Sequence, residues 1–162
     1  MQTSLAGRTN SRRGVTLVEM LIVVTLIALV AGLSYPSVAS GVDSLRLRSA
    51  SDAIISFLNT ALDRAERRQQ VVEIWIWPRE NSMIARSADL GFVRRLDLAE
   101  PIRIIAVQPA IPENPDQPRR FLLYPGGAVP RISVEIANKT GRRLLVSVDP
   151  VTGVPRSEAE TQ

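Results

Sequence analysis

The sequence predicts an α+β fold in which one long N-terminal helix packs against a β-rich head of antiparallel strands. Three observations predict it. An almost uncharged apolar run covers residues 15–33, and a helical rhythm of apolar residues continues to about residue 70. The rest of the chain consists of short strand-like segments separated by proline and glycine. These features divide the chain into residues 1–14, 15–35, 36–70 and 71–162.

Composition excludes most kinds of catalytic and metal site. Cysteine and histidine are both absent, so the sequence has no disulfide, Cys/His zinc site, thiol nucleophile or imidazole-based triad. No acidic cluster has metal-ligand spacing, and the single lysine, Lys139, lies in a predicted turn, where we expect it to be solvated. Asp149, which precedes Pro150, is expected to form a turn. We therefore expect neither an enzyme nor a cofactor.

Residues 1–14 form a short basic leader. The formal net charge of the whole chain is +4. Arg8, Arg12 and Arg13 lie in the leader, which contains no acid, so the remainder of the chain is nearly neutral. Net charge therefore gives little support to a nucleic-acid partner.

The apolar run in residues 15–35 is long enough to cross a bilayer as a helix, with a buried core helix as the alternative. The arginines before it predict a cytoplasmic N-terminus. A cleaved secretory signal would use residues 37–39 as its cleavage site, and a twin-arginine signal would use Arg12 and Arg13. Neither kind of signal requires Glu19, and placing its ionised carboxylate inside an apolar run costs free energy.

Residues 11–21, which read SRRGVTLVEML, resemble the processing site of type IV prepilins and type II secretion pseudopilins. The resemblance implies cleavage between Gly14 and Val15 by a prepilin peptidase, followed by N-methylation of Val15. The family usually has phenylalanine where this chain has Val15. The resemblance also implies that Glu19 neutralises the N-terminal amine of a neighbouring subunit, and it matches Pro36 to a proline that many members share.

The sequence predicts that residues 36–70 form the amphipathic half of the helix. Apolar residues recur at spacings of three and four, and most charges take the other face. Pro36 is expected to kink the helix, because proline removes one backbone hydrogen bond. The apolar stripe is expected to pack on the β-rich remainder.

The predicted head, residues 71–162, contains seven strands: 71–77, 82–86, 92–98, 102–107, 120–124, 132–137 and 143–149. In the first, Val72, Ile74 and Ile76 share the face expected to meet the helix. Trp75 and Trp77 lie on the other face, where they either fill a second core layer or mark a contact surface. Residues 138–141, reading NKTG, predict a hairpin turn.

The head resembles H-type pseudopilins and FimT-like minor pilins (GspH/FimT) in residues 58–68, 121–127, 132–136 and 145–154. This resemblance implies a minor subunit near the tip of a short periplasmic filament that exports folded proteins. Its implied partners are other pseudopilins, a prepilin peptidase and the inner-membrane assembly platform. The implied location is the inner membrane, as a single-pass protein with a cytoplasmic N-terminus and a periplasmic head.

Paired arginines suggest a second function, DNA binding, because arginines can contact phosphates and some FimT-like pilins bind DNA. The pairs are residues 94–95, 119–120 and 142–143. Neighbouring residues of a strand point to opposite faces, so we expect one arginine of each pair to be solvated and the other to brace a neighbour. The tail motif of the DNA-binding members is matched only partly by residues 153–156. Nucleic acid is therefore the less favoured partner.

Four prolines recur every third residue between two predicted strands: Pro109, Pro112, Pro115 and Pro118. A polyproline II segment has three residues per turn, so the four would align along one edge and could dock on a partner. The alternative is a stiffened loop between strands.

Overall fold

The structure, a computed structural model, describes residues 15–87, 91–111, 114 and 116–159, without the side chains of residues 33–40. It confirms the α+β arrangement, a helix followed by antiparallel strands. The elements are α1 (Leu17–Arg68), β1 (Val72–Trp77), β2 (Ser82–Ser87), β3 (Val93–Asp97), β4 (Arg103–Gln108), β5 (Arg119–Leu123), β6 (Ser133–Ala137), β7 (Arg143–Val148) and β8 (Pro155–Ala159). The chain divides into two compact units, Met1–Ala39 and Ser40–Gln162.

The first unit contains the N-terminal part of α1. Helical backbone continues through Pro36, and the kink expected there stays a prediction. Among the described residues, no helix meets the combined requirements of length and apolarity for a membrane crossing. The transmembrane role of residues 15–35 likewise stays a prediction.

The second unit contains two four-stranded antiparallel sheets, ordered β3-β2-β1-β5 and β4-β6-β7-β8. The seven predicted strands match β1 to β7 to within one residue at each end. The eighth strand, β8, was not predicted. Its residues after Pro155 are polar or small and show no apolar alternation, so only its pairing with β7 reveals it.

One hydrophobic core joins the second part of α1 to the inner faces of both sheets. Ile54 and Leu58 of α1 belong to the same buried cluster as Ile74 of β1 and Ile136 of β6. The predicted inward face of β1 is confirmed, because Val72, Ile74 and Ile76 are all fully buried. Burial of such side chains stabilises the fold by about 1.5–3 kcal/mol each.

Asn81 holds the crossover between the two sheets. Its Nδ2 donates to the carbonyl oxygens of Leu98 at 2.9 Å and Ile102 at 2.7 Å, and its Oδ1 accepts from the Ile104 amide at 2.8 Å. Asn81 has a φ of 54°, in the left-handed region that asparagine tolerates better than most residues. One side chain thus satisfies three backbone groups where the chain passes from β3 to β4.

Two predicted turns are confirmed. Between β6 and β7, the Gly141 amide donates to the Asn138 carbonyl at 3.1 Å, and Gly141 has a φ of 83°, which favours glycine. Between β7 and β8, Oδ1 of Asp149 accepts from the amides of Val151 at 2.8 Å and Thr152 at 3.2 Å. The side chain of Asn138 caps the first turn, since its Oδ1 accepts from the amides of Thr140 at 3.1 Å and Arg142 at 3.0 Å, and the side chain of Asp149 caps the second.

The Asp149 turn makes stability depend on pH. Hydrogen bonds from the Val151 and Thr152 amides lower the pKa of Asp149 below its ordinary value. The ionised carboxylate therefore stabilises the fold above the unfolded-state pKa, about 3.9, and this contribution is lost as pH falls through the folded-state pKa. In thermal unfolding, the loss of Tm between pH 7 and pH 3 is expected to be smaller in Asp149→Asn than in wild type. An unchanged loss of Tm in this variant would contradict the role of the carboxylate.

Candidate processing and assembly site

Thr16 caps the N-terminus of α1. Its Oγ1 accepts a hydrogen bond from the Glu19 amide at 3.2 Å, and its carbonyl accepts from the Met20 amide at 3.1 Å. This is the N-cap position, where threonine satisfies a helix donor that would otherwise have no partner. The helix consequently begins at Leu17, two residues after Val15.

Glu19 lies exposed in the first turn of α1. A carboxylate in this position interacts favourably with the helix dipole, by about 0.3–1 kcal/mol at an exposed site. Val15, described at the start of the chain, is 65 % exposed. Gly14 lies outside the described residues. The structure therefore places an accessible carboxylate within one helical turn of the residue that would become the new N-terminus.

An apolar sleeve covers this part of α1, and we use the name for the large apolar side chains of residues 15–30. Each of them is exposed, from 44 % at Val23 to 82 % at Leu17. The hydroxyl of Thr25 donates to the Leu21 carbonyl at 2.7 Å and so is satisfied within the helix. Because consecutive residues point all round a helix, the sleeve is apolar on every side, which is typical of a helix that is buried in lipid or among other helices.

The outer face of the first sheet carries an aromatic and ionic cluster. Trp75 and Trp77 are half-buried outside the hydrophobic core and stack with ring centroids 5.6 Å apart. Glu73 accepts a hydrogen bond from Arg86 at 2.8 Å and forms an ion pair with Arg120, whose guanidinium lies 5.9 Å from the Trp75 ring centroid. Burial opposes ionisation of Glu73, but hydrogen bonds from Arg86 and Arg120 lower its pKa below the ordinary value. The cluster braces neighbouring strands.

Strand alternation predicted the acid contacts of the three arginine pairs but not a solvated partner in each, because Arg119 is half-buried and the Arg142 guanidinium donates to the Ser44 hydroxyl. One member of each pair contacts an acid: Arg95 with Asp97 at 2.8 Å, Arg120 with Glu73, and Arg143 with Glu135 at 3.0 Å. Arg94 is exposed and forms no ion pair within the described part of the chain. The positive charge available to a polyanion is therefore smaller than the arginine count suggests.

The proline-rich segment connects β4 to β5. Pro109 directly follows β4 and Pro118 directly precedes β5, whereas Pro112 and Pro115 lie outside the described residues. Between them, the Asn114 amide donates to the Ile111 carbonyl at 3.1 Å, a turn-type hydrogen bond. Polyproline II has no internal hydrogen bonds, so this bond favours the loop alternative, and the partner contact at these prolines stays a prediction.

Sequence reasoning identified Glu19 but missed the cap. The pattern from Thr16 to Glu19, a threonine followed three residues later by a glutamate, is an N-terminal capping signature and could have revealed it. Lys139, expected to be solvated, is 60 % exposed but pairs with the buried carboxylate of Asp43 at 3.3 Å. Within the described residues, no three acidic side chains lie close enough to hold a metal ion.

Comparison with known proteins bears on the N-terminus alone. Residues 9–35 match the family model described as the prokaryotic N-terminal methylation motif. No curated protein and no solved structure matches the chain. The matched range includes Gly14, Val15 and Glu19, the residues on which the prepilin resemblance depends. The chain thus carries the N-terminal methylation motif of type IV pilin-like proteins, a prepilin-type signal that implies a prepilin peptidase and other pilins as partners.

Proposed function

We propose that the protein is a minor pseudopilin of a type II secretion system, which assembles near the tip of a short periplasmic filament that drives protein export. The methylation motif over residues 9–35 carries the proposal. The α+β arrangement supports it, because a helix followed by antiparallel strands is the architecture expected of a pilin-like subunit. The role is one of assembly, without catalysis.

In the proposed mechanism, cleavage of the leader creates the positively charged N-terminal amine that contacts a neighbouring subunit during assembly. Hydrolysis of the peptide bond between Gly14 and Val15 releases the leader and leaves an α-amine on Val15, which is then methylated. The methylated amine keeps its positive charge. Because Glu19 is exposed in the first turn of α1, its carboxylate is available to the amine of a neighbouring subunit. The Thr16 cap fixes where the helix begins and therefore where this carboxylate lies.

The apolar sleeve supports membrane anchoring before assembly and helix packing after it. Leaving such side chains in water costs about 1.5–3 kcal/mol each relative to full burial. In the proposed state, the sleeve lies in the inner membrane, the leader faces the cytoplasm and the head lies in the periplasm. Loss of the basic leader then changes the charge at the cytoplasmic end without altering the sleeve.

The isosteric change Glu19→Gln tests whether the Glu19 carboxylate pairs with the N-terminal amine of a neighbouring subunit. This variant is expected to be processed as efficiently as wild type, because the change lies beyond the cleaved bond, but to enter filaments at least about tenfold less, since it loses one charge-assisted contact. The measurement is the yield of the protein in cross-linked assemblies with other pilin-like subunits of its host. Asp52→Asn, an exposed acid on the same helix, is the control. Equal incorporation of both variants would contradict the role of Glu19.

A FimT-like minor type IV pilin that takes part in pilus assembly or DNA uptake is the alternative. The observation that favours it is Arg94, which is exposed and forms no ion pair with any residue that the structure describes. Gel shifts of the purified chain with double-stranded DNA at two salt concentrations separate the proposals, because phosphate contacts weaken steeply with salt. DNA binding that weakens in Arg94→Gln would favour the alternative, and absence of binding at low salt would exclude the uptake role.

A further inference from the structure

A cavity of about 590 Å³ lies in the second unit between α1 and the β7–β8 edge of the second sheet. Three arginines line it, Arg48, Arg142 and Arg143, and no acidic residue is among its described lining. Its apolar lining residues are Leu47, Leu144 and Ala159. The cavity therefore combines positive charge with apolar surface.

Contacts between α1 and the β6–β7 turn, and within that turn, fix the walls of the cavity. The Asp43 side chain, only 5 % exposed, pairs with Lys139 at 3.3 Å, and the Arg142 guanidinium donates to the Ser44 hydroxyl. Oδ1 of Asn138 accepts from the Arg142 amide at 3.0 Å. These contacts join α1 to the β6–β7 turn within the same unit, so the cavity is formed before any ligand binds.

The cavity opens where β8 extends beyond the hydrophobic core. Pro155, Ser157 and Ala159 share one face of β8, but only Pro155 is buried. Ala159 pairs with Leu144 of β7, and both line the cavity. Beyond Pro155 the side chains of β8 are exposed, and the space between Ala159 and residues Leu47 and Arg48 of α1 is the cavity.

The outer edge of β8 has unused backbone hydrogen-bonding groups. The Asp149 amide donates to the Val154 carbonyl at 3.1 Å, which identifies residues 149 and 154 as a hydrogen-bonded pair. Antiparallel ladders alternate, so Arg156 and Glu158 turn their backbone groups towards β7, while Ser157 and Ala159 turn theirs outward. In the described part of the chain, no strand pairs with that edge. An edge of this kind accepts an added strand.

Charge indicates the chemistry of that strand. Arg143 pairs with Glu135, but Arg48 forms no ion pair within the described residues. The guanidinium of Arg142 donates there only to the Ser44 hydroxyl. Guanidinium groups suit carboxylates because they present two parallel N–H donors. Asp43 and Glu135 neutralise the basic residues beside the cavity, so the positive region is short. A short positive region with an apolar floor fits an acidic peptide better than the long phosphate track of DNA.

We propose that this cavity binds an acidic, partly apolar segment of a partner protein. The segment pairs with the outer edge of β8 and places a carboxylate against Arg48 and Arg142. Its apolar side chains cover Leu144 and Ala159. This inference goes beyond the proposed function, because it concerns the second unit alone and does not depend on processing of the N-terminus.

The test measures fluorescence anisotropy of a labelled, acetylated and amidated peptide titrated with the full chain in detergent micelles. In this peptide serine occupies every second position, and the positions between hold valine and glutamate in turn, so that both lie on one face of the added strand. Saturable binding is expected. A matched peptide with glutamine in place of glutamate should bind at least about tenfold more weakly, as expected when charge-assisted hydrogen bonds are lost. Absence of saturable binding, or equal affinity for the two peptides, would overturn the proposal.

Variants locate the binding site. Arg48→Gln removes no ion pair of the described fold and should weaken binding of the glutamate peptide about tenfold. Arg94→Gln, which removes the same charge from the other sheet, should leave its affinity unchanged. Ser157→Pro removes an N–H that the fold does not use and should weaken binding, whereas Ser157→Ala should not.

Three results would contradict this location. One is an equal effect of Arg48→Gln and Arg94→Gln, which would indicate a general charge effect. The second is unchanged binding by Ser157→Pro, which would exclude strand pairing at β8. The third is displacement of the peptide by a short DNA duplex that binds more tightly and also depends on Arg48, which would make the cavity a nucleic-acid site.

Discussion

Replacing Gly14 by leucine is expected to abolish removal of the leader. The prepilin resemblance implies that the peptidase cuts directly after this glycine, and a large side chain there would obstruct the close approach of the peptidase to the backbone. In a host that expresses a prepilin peptidase, wild type should lose 14 residues, while the processed fraction of Gly14→Leu should fall to almost nothing. Intact-mass spectrometry of the membrane fraction measures this directly.

Gly7→Leu is the matched control for the Gly14 experiment. It makes the same substitution in the same leader but away from the cleaved bond. The control should be processed like wild type. Efficient cleavage of Gly14→Leu at the same bond would show that the glycine is not required, and equal loss in both variants would point to a general defect of the leader.

Replacing Asn81 by alanine is expected to destabilise the head by about 3 kcal/mol or more. The variant loses all three side-chain hydrogen bonds to the crossover between β3 and β4, and it leaves the partly buried carbonyls of Leu98 and Ile102 without these donors. Alanine also tolerates the positive φ at this position less well than asparagine. Chemical denaturation followed by tryptophan fluorescence measures the loss, because Trp75 and Trp77 lie in the neighbouring strand β1.

Two variants separate the causes of the Asn81 effect. Asn81→Gly removes the hydrogen bonds but adopts positive φ freely, so it should be more stable than Asn81→Ala. Asn59→Ala removes an exposed asparagine from α1 and should change stability by less than about 0.5 kcal/mol. A change of this small size in Asn81→Ala would contradict the role of Asn81 in joining the sheets.

The sequence was sufficient to predict elements but not their arrangement. Apolar periodicity predicted α1 and the first seven strands, because all of them except β3 bury apolar residues in the core, and β3 packs the partly buried Leu96 against it. The polar residues of β8 carry no such signal, and their place in the sheet depends on pairing with β7. The sheet order depends on the crossover that Asn81 holds, and three long-range hydrogen bonds from one side chain leave no local pattern in the sequence.

The candidate sites also differ in whether the sequence alone could predict them. Glu19 was predictable as a functional residue because an ionised carboxylate inside an apolar run costs free energy, and such a residue is therefore expected to have a function. The bracing arginines were predictable because strand neighbours alternate between faces. The basic cavity was not, because Arg48 lies on α1 and Arg142 directly precedes β7, and only the packing of α1 on the second sheet brings them together.

The N-terminus of the mature protein is the most direct test of the account. Mass spectrometry of the protein recovered from membranes of a peptidase-bearing host should find a chain that begins at N-methylated Val15. An intact Met1 end, or a new N-terminus at Ser40 after cleavage at the alternative signal site, would contradict the prepilin interpretation.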